Sequence, residues 1–207
     1  MEVTGPTTDA QRAYLSRIEY SQQHLLALIE DVLQFAKIEA GRVDMQLADI
    51  PVHEVLSEAA ALAMPQMQRK GLRYDYNRCD EAVRVRGDRA RIRQVVLNLL
   101  SNAMKFTGAG GRITTECTVN EADVVIRVTD TGIGIPQDKL ELVFEPFVQL
   151  DSALTRKADG TGLGLAISRS FAREMGGDLT ATSVVGEGSA LSFRLPRALR
   201  LDASTSN

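Results

Sequence analysis

The sequence predicts an α/β protein: a two-layer α/β sandwich with a mixed, mostly antiparallel sheet, preceded by a long amphipathic helix. Two observations lead there. Residues 112–120, 123–129, 178–184 and 188–195 alternate apolar with polar side chains, the period of strands that bury one face. Residues 51–70, 89–106 and 161–175 instead repeat their apolar side chains at three and four, so each forms a helix with one buried stripe. One-sided strands and one-sided helices of similar length satisfy each other as two layers around one core.

The 207 residues suffice for one well-buried domain with an appendage. With 44% hydrophobic residues, 25% charged residues and a net charge of -3, nothing global points to nucleic acid or an anionic membrane as a partner. No run is long and apolar enough for a membrane segment in this chain, and residues 1–8 lack the apolar core of a signal peptide. A cytoplasmic location is therefore expected, whether or not a parent protein is anchored in a membrane. Cys79 and Cys117 stand far apart without a metal-ligand spacing, which predicts free, buried thiols in a reducing compartment.

In chain order, Thr8 or Asp9 is an N-cap for a helix from Ala10 to about Ala40, whose Leu15, Ile18, Leu25, Ile29 and Val32 form a wide apolar stripe. Gly41 offers its stop. Alternation over 42–50 predicts a first strand, and Pro51 opens a helix over 51–70 with Val55, Leu56, Ala59, Leu62, Ala63 and Met67 inward. Short strands at 72–76 and 82–86 lead through Asp88, a cap, into the helix over 89–106. Glu121-Ala122 joins the next two strands as a hairpin. A short helix over 136–143 precedes a loop over 148–159, and residues 200–207 form a frayed tail.

Four motifs carry chemistry, and their order is more specific than any one of them. On the helix over 89–106, Asn98, Asn102 and Lys105 are spaced by four and three, which sets two amides and an ammonium along one edge. Asp130-Thr131-Gly132-Ile133-Gly134, Phe144-Glu145-Pro146-Phe147 and Gly160-Thr161-Gly162-Leu163-Gly164-Leu165 follow. Together they resemble the N, G1, F and G2 boxes of sensor histidine kinases, and residues 25–42 resemble the second helix of that family's dimerisation hairpin. The resemblance spans residues 25–196. It implies the Bergerat ATP-binding fold, with residues 1–42 a partial dimerisation helix, 43–200 the ATP-binding catalytic domain and 201–207 a disordered tail.

The resemblance also implies ATP and Mg2+ as cofactors, transfer of the γ-phosphate to a histidine, a response regulator receiver domain as partner, and a homodimer formed through the N-terminal helix. It implies Asn98, Asn102 and Lys105 as catalytic, with Asn102 the metal ligand, and a nucleotide held also by Asp130, Gly132, Gly134, Arg156, Lys157, Gly160, Thr161, Gly162, Leu163, Gly164 and Leu165. The residue chemistry agrees. A carboxylate accepts from the exocyclic amine of adenine, where guanine presents a carbonyl. The first amides of a helix opened by Gly162 and Gly164 attract phosphate, and Arg156 and Lys157 add charge. Asn98 stands where related ATPases hold a glutamate base, and an amide cannot take a proton from water, so brisk hydrolysis is not expected.

Other phosphate sites fail: there is no Gly-x-x-x-x-Gly-Lys-Ser/Thr and no strand-helix unit framing a dinucleotide fingerprint. The basic cluster Arg84, Arg86, Arg89, Arg91 and Arg93 lacks interleaved aromatics and reads as a solvated face. Neither His24 nor His53 carries the family's phosphoacceptor context, so the acceptor helix is expected to be missing and efficient self-phosphorylation absent. A nucleotide-dependent dimerisation or interaction module, without enzymatic activity, is the alternative.

Overall fold

The computed structural model describes residues 7–42, 44–149 and 161–198, with the backbone alone at Tyr20 and His24. The chain divides into two compact units, Met1–Arg42 and Val43–Asn207. Among its described residues the first holds one helix, α1 (Asp9–Glu39). Thr8 caps it: the hydroxyl accepts from the Gln11 amide, and the Gln11 side chain accepts from the Thr8 amide, so two end donors are satisfied reciprocally. Leu15, Ile18, Leu25, Ile29 and Val32 share one side of α1 and are about half exposed.

The second unit runs β1 (Ala48–Pro51), α2 (Val52–Arg69), β2 (Arg73–Tyr76), β3 (Arg84–Gly87), α3 (Arg89–Phe106), β4 (Arg112–Val119) and β5 (Asp123–Asp130). Two 3₁₀ turns, Gln137–Lys139 and Leu142–Phe144, then lead to α4 (Gly164–Glu174), β6 (Asp178–Val184) and β7 (Gly188–Pro196). The main sheet has the order β2-β4-β5-β7-β6, with β2 parallel to β4 and every other pair antiparallel. The strands β1 and β3 form a separate antiparallel ribbon.

The core lies between the sheet and the three helices. Val124, Ile126 and Val128 of β5 and Leu191, Phe193 and Leu195 of β7 are buried, as their period of two requires. Ile92, Val95, Val96, Leu99, Leu100 and Ala103 of α3 meet them, and Ile167 and Phe171 of α4 complete the layer. Each fully buried large side chain here contributes about 1.5–3 kcal/mol by leaving water.

Four expectations are corrected. Leu62 is 64% exposed rather than inward, because the stripe of α2 follows Val52, Leu56, Ala59, Ala63 and Met67 and Leu62 lies about a quarter-turn from its centre. The first strand occupies only Ala48–Pro51, since its partner β3 offers four residues, from Gly87 opposite Ala48 to Arg84 opposite Pro51. The helix expected over 136–143 is two 3₁₀ turns; Glu145, held extended before Pro146, stops the second.

The fourth concerns the cysteines, which are not free thiols: Cys79 and Cys117 form a disulfide with Cα atoms 5.2 Å apart. Parallel pairing of β2 with β4 continues past the strand as Asn77 N donating to Thr115 O at 3.0 Å, which sets the chain two residues later beside Cys117.

Candidate active site

Helix α3 starts at Asp88, whose carboxylate accepts from the amides of Ala90 and Arg91 at 2.9 and 3.1 Å. Asn98, Asn102 and Lys105 lie half-buried along its edge. Asn102 Nδ2 donates to the Asn98 carbonyl oxygen at 3.0 Å and to Asn98 Oδ1 at 3.3 Å. Asn98 Nδ2 donates in turn to Ser168 Oγ of α4 at 2.9 Å, and a Cβ placed on Gly164 would come within 2.6 Å of Asn98 Oδ1. Asn98 therefore sits in the contact between α3 and the start of α4. Asn102, with its amide nitrogen turned back to the helix, directs Oδ1 away from it.

Asp130 ends β5 and is 8% exposed. Burial pushes its carboxyl above the usual carboxylate range; amide hydrogen bonds from Gly132, at 2.7 Å, and Ser189 and the nearby Thr107 hydroxyl oppose this without cancelling it. Thr107 is fully buried and its hydroxyl makes no hydrogen bond of standard geometry, but it lies close enough to favour the ionised carboxylate.

The loop after Asp130 is fastened on two sides. Ile133 N donates to Phe106 O at 3.4 Å, on α3. Toward β6, Gly186 N donates to Ile133 O at 2.9 Å, Ile135 N to Ser183 Oγ at 2.7 Å and Gln137 Nε2 to Ser183 O at 2.7 Å. A Cβ on Gly132 would stand 2.5 Å from Phe106 O, and Gly134, at φ 71°, passes against the Val184 carbonyl; neither place has room for a side chain. The last turn of α3 and the Asp130 loop are thus one joined structure.

A cavity of about 440 Å³ borders the same end of the sheet, with Asp130, Gln137, Leu140, Ser183, Glu187 and Ser189 in its wall. Thr129, Thr182 and Ala190 also line it, and strand alternation points them away from the helices. It is consequently across the sheet from Asn102, with Asp130 at its rim.

At the start of α4, Gly162 adopts φ 73° and its carbonyl accepts from Phe147 N at 3.1 Å; Phe147 itself adopts φ 63°, a region a bulky residue rarely occupies. Thr161 Oγ1 accepts from Leu163 N at 3.0 Å. The Leu163 side chain is fully buried, and its amide is engaged by Thr161. The first intrahelical bond, Ile167 N to Leu163 O, leaves the amides of Gly164, Leu165 and Ala166 without acceptors inside the helix. Phe144 is buried beneath the Arg169 guanidinium, 4.6 Å from its ring centroid, whereas Phe147 is 60% exposed. Arg156, Lys157, Gly160 and the rest of residues 150–160 lie outside the described residues, as do the His24 side chain and the tail.

Thr107, Ser168, Ser183 and Ser189 escaped the sequence reading because each joins the site through a distant pairing. Ser189 lies opposite Asp130 only through the antiparallel pairing of β5 with β7, strands far apart in the sequence. Glu54, beside His53, accepts from the Arg89 guanidinium at 2.7 Å. The basic cluster is largely engaged, with Arg89 bound to Glu54 and Glu58, Arg86 to Asp49 and Arg91 over the Phe171 ring.

Residues 87–199 match the family described as histidine kinase-, DNA gyrase B-, and HSP90-like ATPase. The chain is 36% identical over 188 residues to an uncharacterised sensor-like histidine kinase of Rhizobium meliloti (strain 1021), covering 91% of this chain and 36% of that protein. It is 37% identical over 193 residues to the signal transduction histidine-protein kinase BarA of Escherichia coli (strain K12), covering 91% and 21%. The chain thus spans about a fifth to a third of the length of these relatives. Among solved structures, full-length ShkA in complex with AMPPNP superimposes with a TM-score of 0.80 at 33% identity, covering 94% of this chain and 40% of that one.

Proposed function

The chain belongs to the histidine kinase-, DNA gyrase B-, and HSP90-like ATPase family, and from that premise we propose that it is the ATP-binding catalytic portion of a sensor histidine kinase, passing the γ-phosphate of Mg-ATP to a histidine for relay to a response-regulator receiver domain. The observation that carries this reading is the fastening of the last turn of α3 to the Asp130 loop. It gives the amide edge and the buried carboxylate a fixed relation.

In this reading Asp130 accepts from the exocyclic amine of adenine and turns guanine away, while Gly132 and Gly134 keep side chains off the plane of the base. The α4 amides of Gly164 and Leu165 meet phosphate, with Gly162 and Thr161 shaping the approach. Arg156, Lys157 and Gly160 belong to the segment that covers the nucleotide, and Lys105 neutralises phosphate charge. Asn102 fits a magnesium ion, because its Oδ1 is the hard oxygen such an ion takes alongside phosphate and water oxygens. When bound, that ion would draw charge from the transferred phosphoryl group. Asn98 keeps Asn102 and α4 in place and supplies no base, which suits transfer to a histidine rather than to water.

The apolar stripe of α1 supports pairing with a second copy, and alternatively supports a nucleotide-dependent interaction module without catalysis. The test is displacement of a fluorescent ATP analogue, followed by incubation with γ-labelled ATP and a histidine-bearing dimerisation domain. ATP should displace the analogue at least tenfold better than GTP, and label should enter that domain as acid-labile phosphate rather than His24 or His53. Equal displacement by both nucleotides ends the adenine reading; binding without transfer leaves the interaction module.

A further inference from the structure

The end of α3 needs an accounting, because the last carbonyls of a helix have no intrahelical donors. Helix α3 does not close on a left-handed glycine: Thr107, its C-cap, is extended at φ -97° and ψ 127°, and Gly108 after it is not at positive φ. Yet its last-turn carbonyls have partners. Ala103 O accepts from Thr107 N at 3.1 Å and Phe106 O from Ile133 N at 3.4 Å. Between them, Met104 O and Lys105 O both accept from Nζ of Lys70, the second at 3.3 Å.

Lys70 is the C-cap of α2, and nothing in its sequence context marks it. Its ammonium stands where a cation also opposes the negative end of the α3 dipole. A second link runs alongside: Gly110 N donates to Gly71 O at 2.9 Å, tying the turn after α3 to the turn after α2. The carbonyls that Lys70 holds immediately precede Phe106 and Thr107, and those two residues meet the Asp130 loop through the Phe106 carbonyl and the Thr107 hydroxyl.

We infer that Lys70 is a positioning residue for the base-reading end of the site: by fixing the last turn of α3 it sets where Phe106 and Thr107 place the Asp130 loop. This rests on the nucleotide reading above. Without the ammonium, two carbonyls turn to water, the last turn of α3 loosens, and the Ile133 anchor moves with it. The amides that open α4 keep their place, because that helix is held elsewhere: its Ser168 hydroxyl accepts from Asn98 Nδ2 and its Gly164 abuts the Asn98 side chain, a turn and more before the end of α3.

The experiment compares wild type, Lys70→Met and Lys70→Arg by calorimetric titration with Mg-ATP and with magnesium tripolyphosphate, together with amide exchange at Gly132 and Ile133. Lys70→Met should weaken Mg-ATP about three- to tenfold, change tripolyphosphate binding less than about twofold and speed exchange at Ile133, an effect of the size of one ordinary hydrogen bond. Lys70→Arg should restore most of the loss. Unchanged Mg-ATP affinity in Lys70→Met overturns the inference, as does an equal loss for both ligands with a lowered unfolding midpoint, or a loss that Lys70→Arg fails to rescue. Wild type that binds no Mg-ATP refutes the nucleotide reading instead.

Discussion

Gly132 donates its amide hydrogen to Asp130 Oδ1 at 2.7 Å, so the carboxylate that ends β5 is oriented by the loop that leaves it. The Ser189 amide and the Thr107 hydroxyl also lie close enough to favour the ionised carboxylate, so in the proposed reading Asp130 serves the protein's donors and the adenine amine together. An asparagine in this place has a single acceptor oxygen for both tasks, and its amide hydrogens would face donors.

That arrangement makes Asp130 sensitive to pH in two opposite senses. Burial holds its carboxyl above the usual range. Between the ordinary aspartate value and the raised one, the folded chain binds a proton that the unfolded chain has released. Stability from this group is therefore full at the acid end and falls as pH rises through the window. Adenine affinity should move the other way, growing as the carboxylate ionises. Unfolding midpoints and ATP titrations between about pH 4 and 7 check both, and Asp130→Asn should flatten both curves.

Gly164 abuts Asn98, so the start of α4 and the middle of α3 approach as closely as a missing Cβ allows. Gly164→Ala should destabilise by about 1–3 kcal/mol through overpacking. Truncating the obstacle should relieve it: in chemical denaturation, Gly164→Ala combined with Asn98→Ala should cost less than the sum of the two single changes. Additive costs would show that the two side chains do not meet.

Arg169 joins three parts of the molecule. It donates to Glu141 at 2.7 Å and to Asp178 at 3.4 Å while covering the Phe144 ring. Asp178 is partly buried, which favours its neutral form, but hydrogen bonds from Leu179 N and Arg173 and the charge of Arg169 outweigh burial and lower its carboxyl below the usual range. Its contribution is present above the ordinary aspartate value and is lost as pH falls through the lowered one. Arg169→Ala should lower the unfolding midpoint at neutral pH, and the deficit should shrink on acidification below about pH 4.

The disulfide closes a loop of sequence separation 38 and lies at the end of β4 away from Asp130. Reduction should cost about 2–4 kcal/mol of stability. Nucleotide affinity should hold, and the paired change Cys79→Ser with Cys117→Ser should abolish the response to reductant. A nucleotide affinity that follows reduction would place the bridge within the site's support.

Local signals made much of this legible. Asp88 as cap and the stripe from Ile92 to Ala103 bounded α3, and alternation marked β4, β5, β6 and β7 because each buries one face. Distant pairings were not legible. The Cys79–Cys117 bridge follows from parallel pairing of β2 with β4, which leaves no periodic trace. Lys70 and Ser183 act through the backbone of other elements, so their own neighbours in sequence say nothing of it. Residues 136–143 carried a helical pattern too short to outweigh Pro146.

The most direct measurement is calorimetric titration of wild type, Asp130→Asn and Asn102→Ala with ATP, in the presence and absence of magnesium. The account predicts that Asp130→Asn weakens binding about tenfold or more in both conditions, and that Asn102→Ala loses only the gain that magnesium brings. Indistinguishable affinities for all three proteins would contradict it.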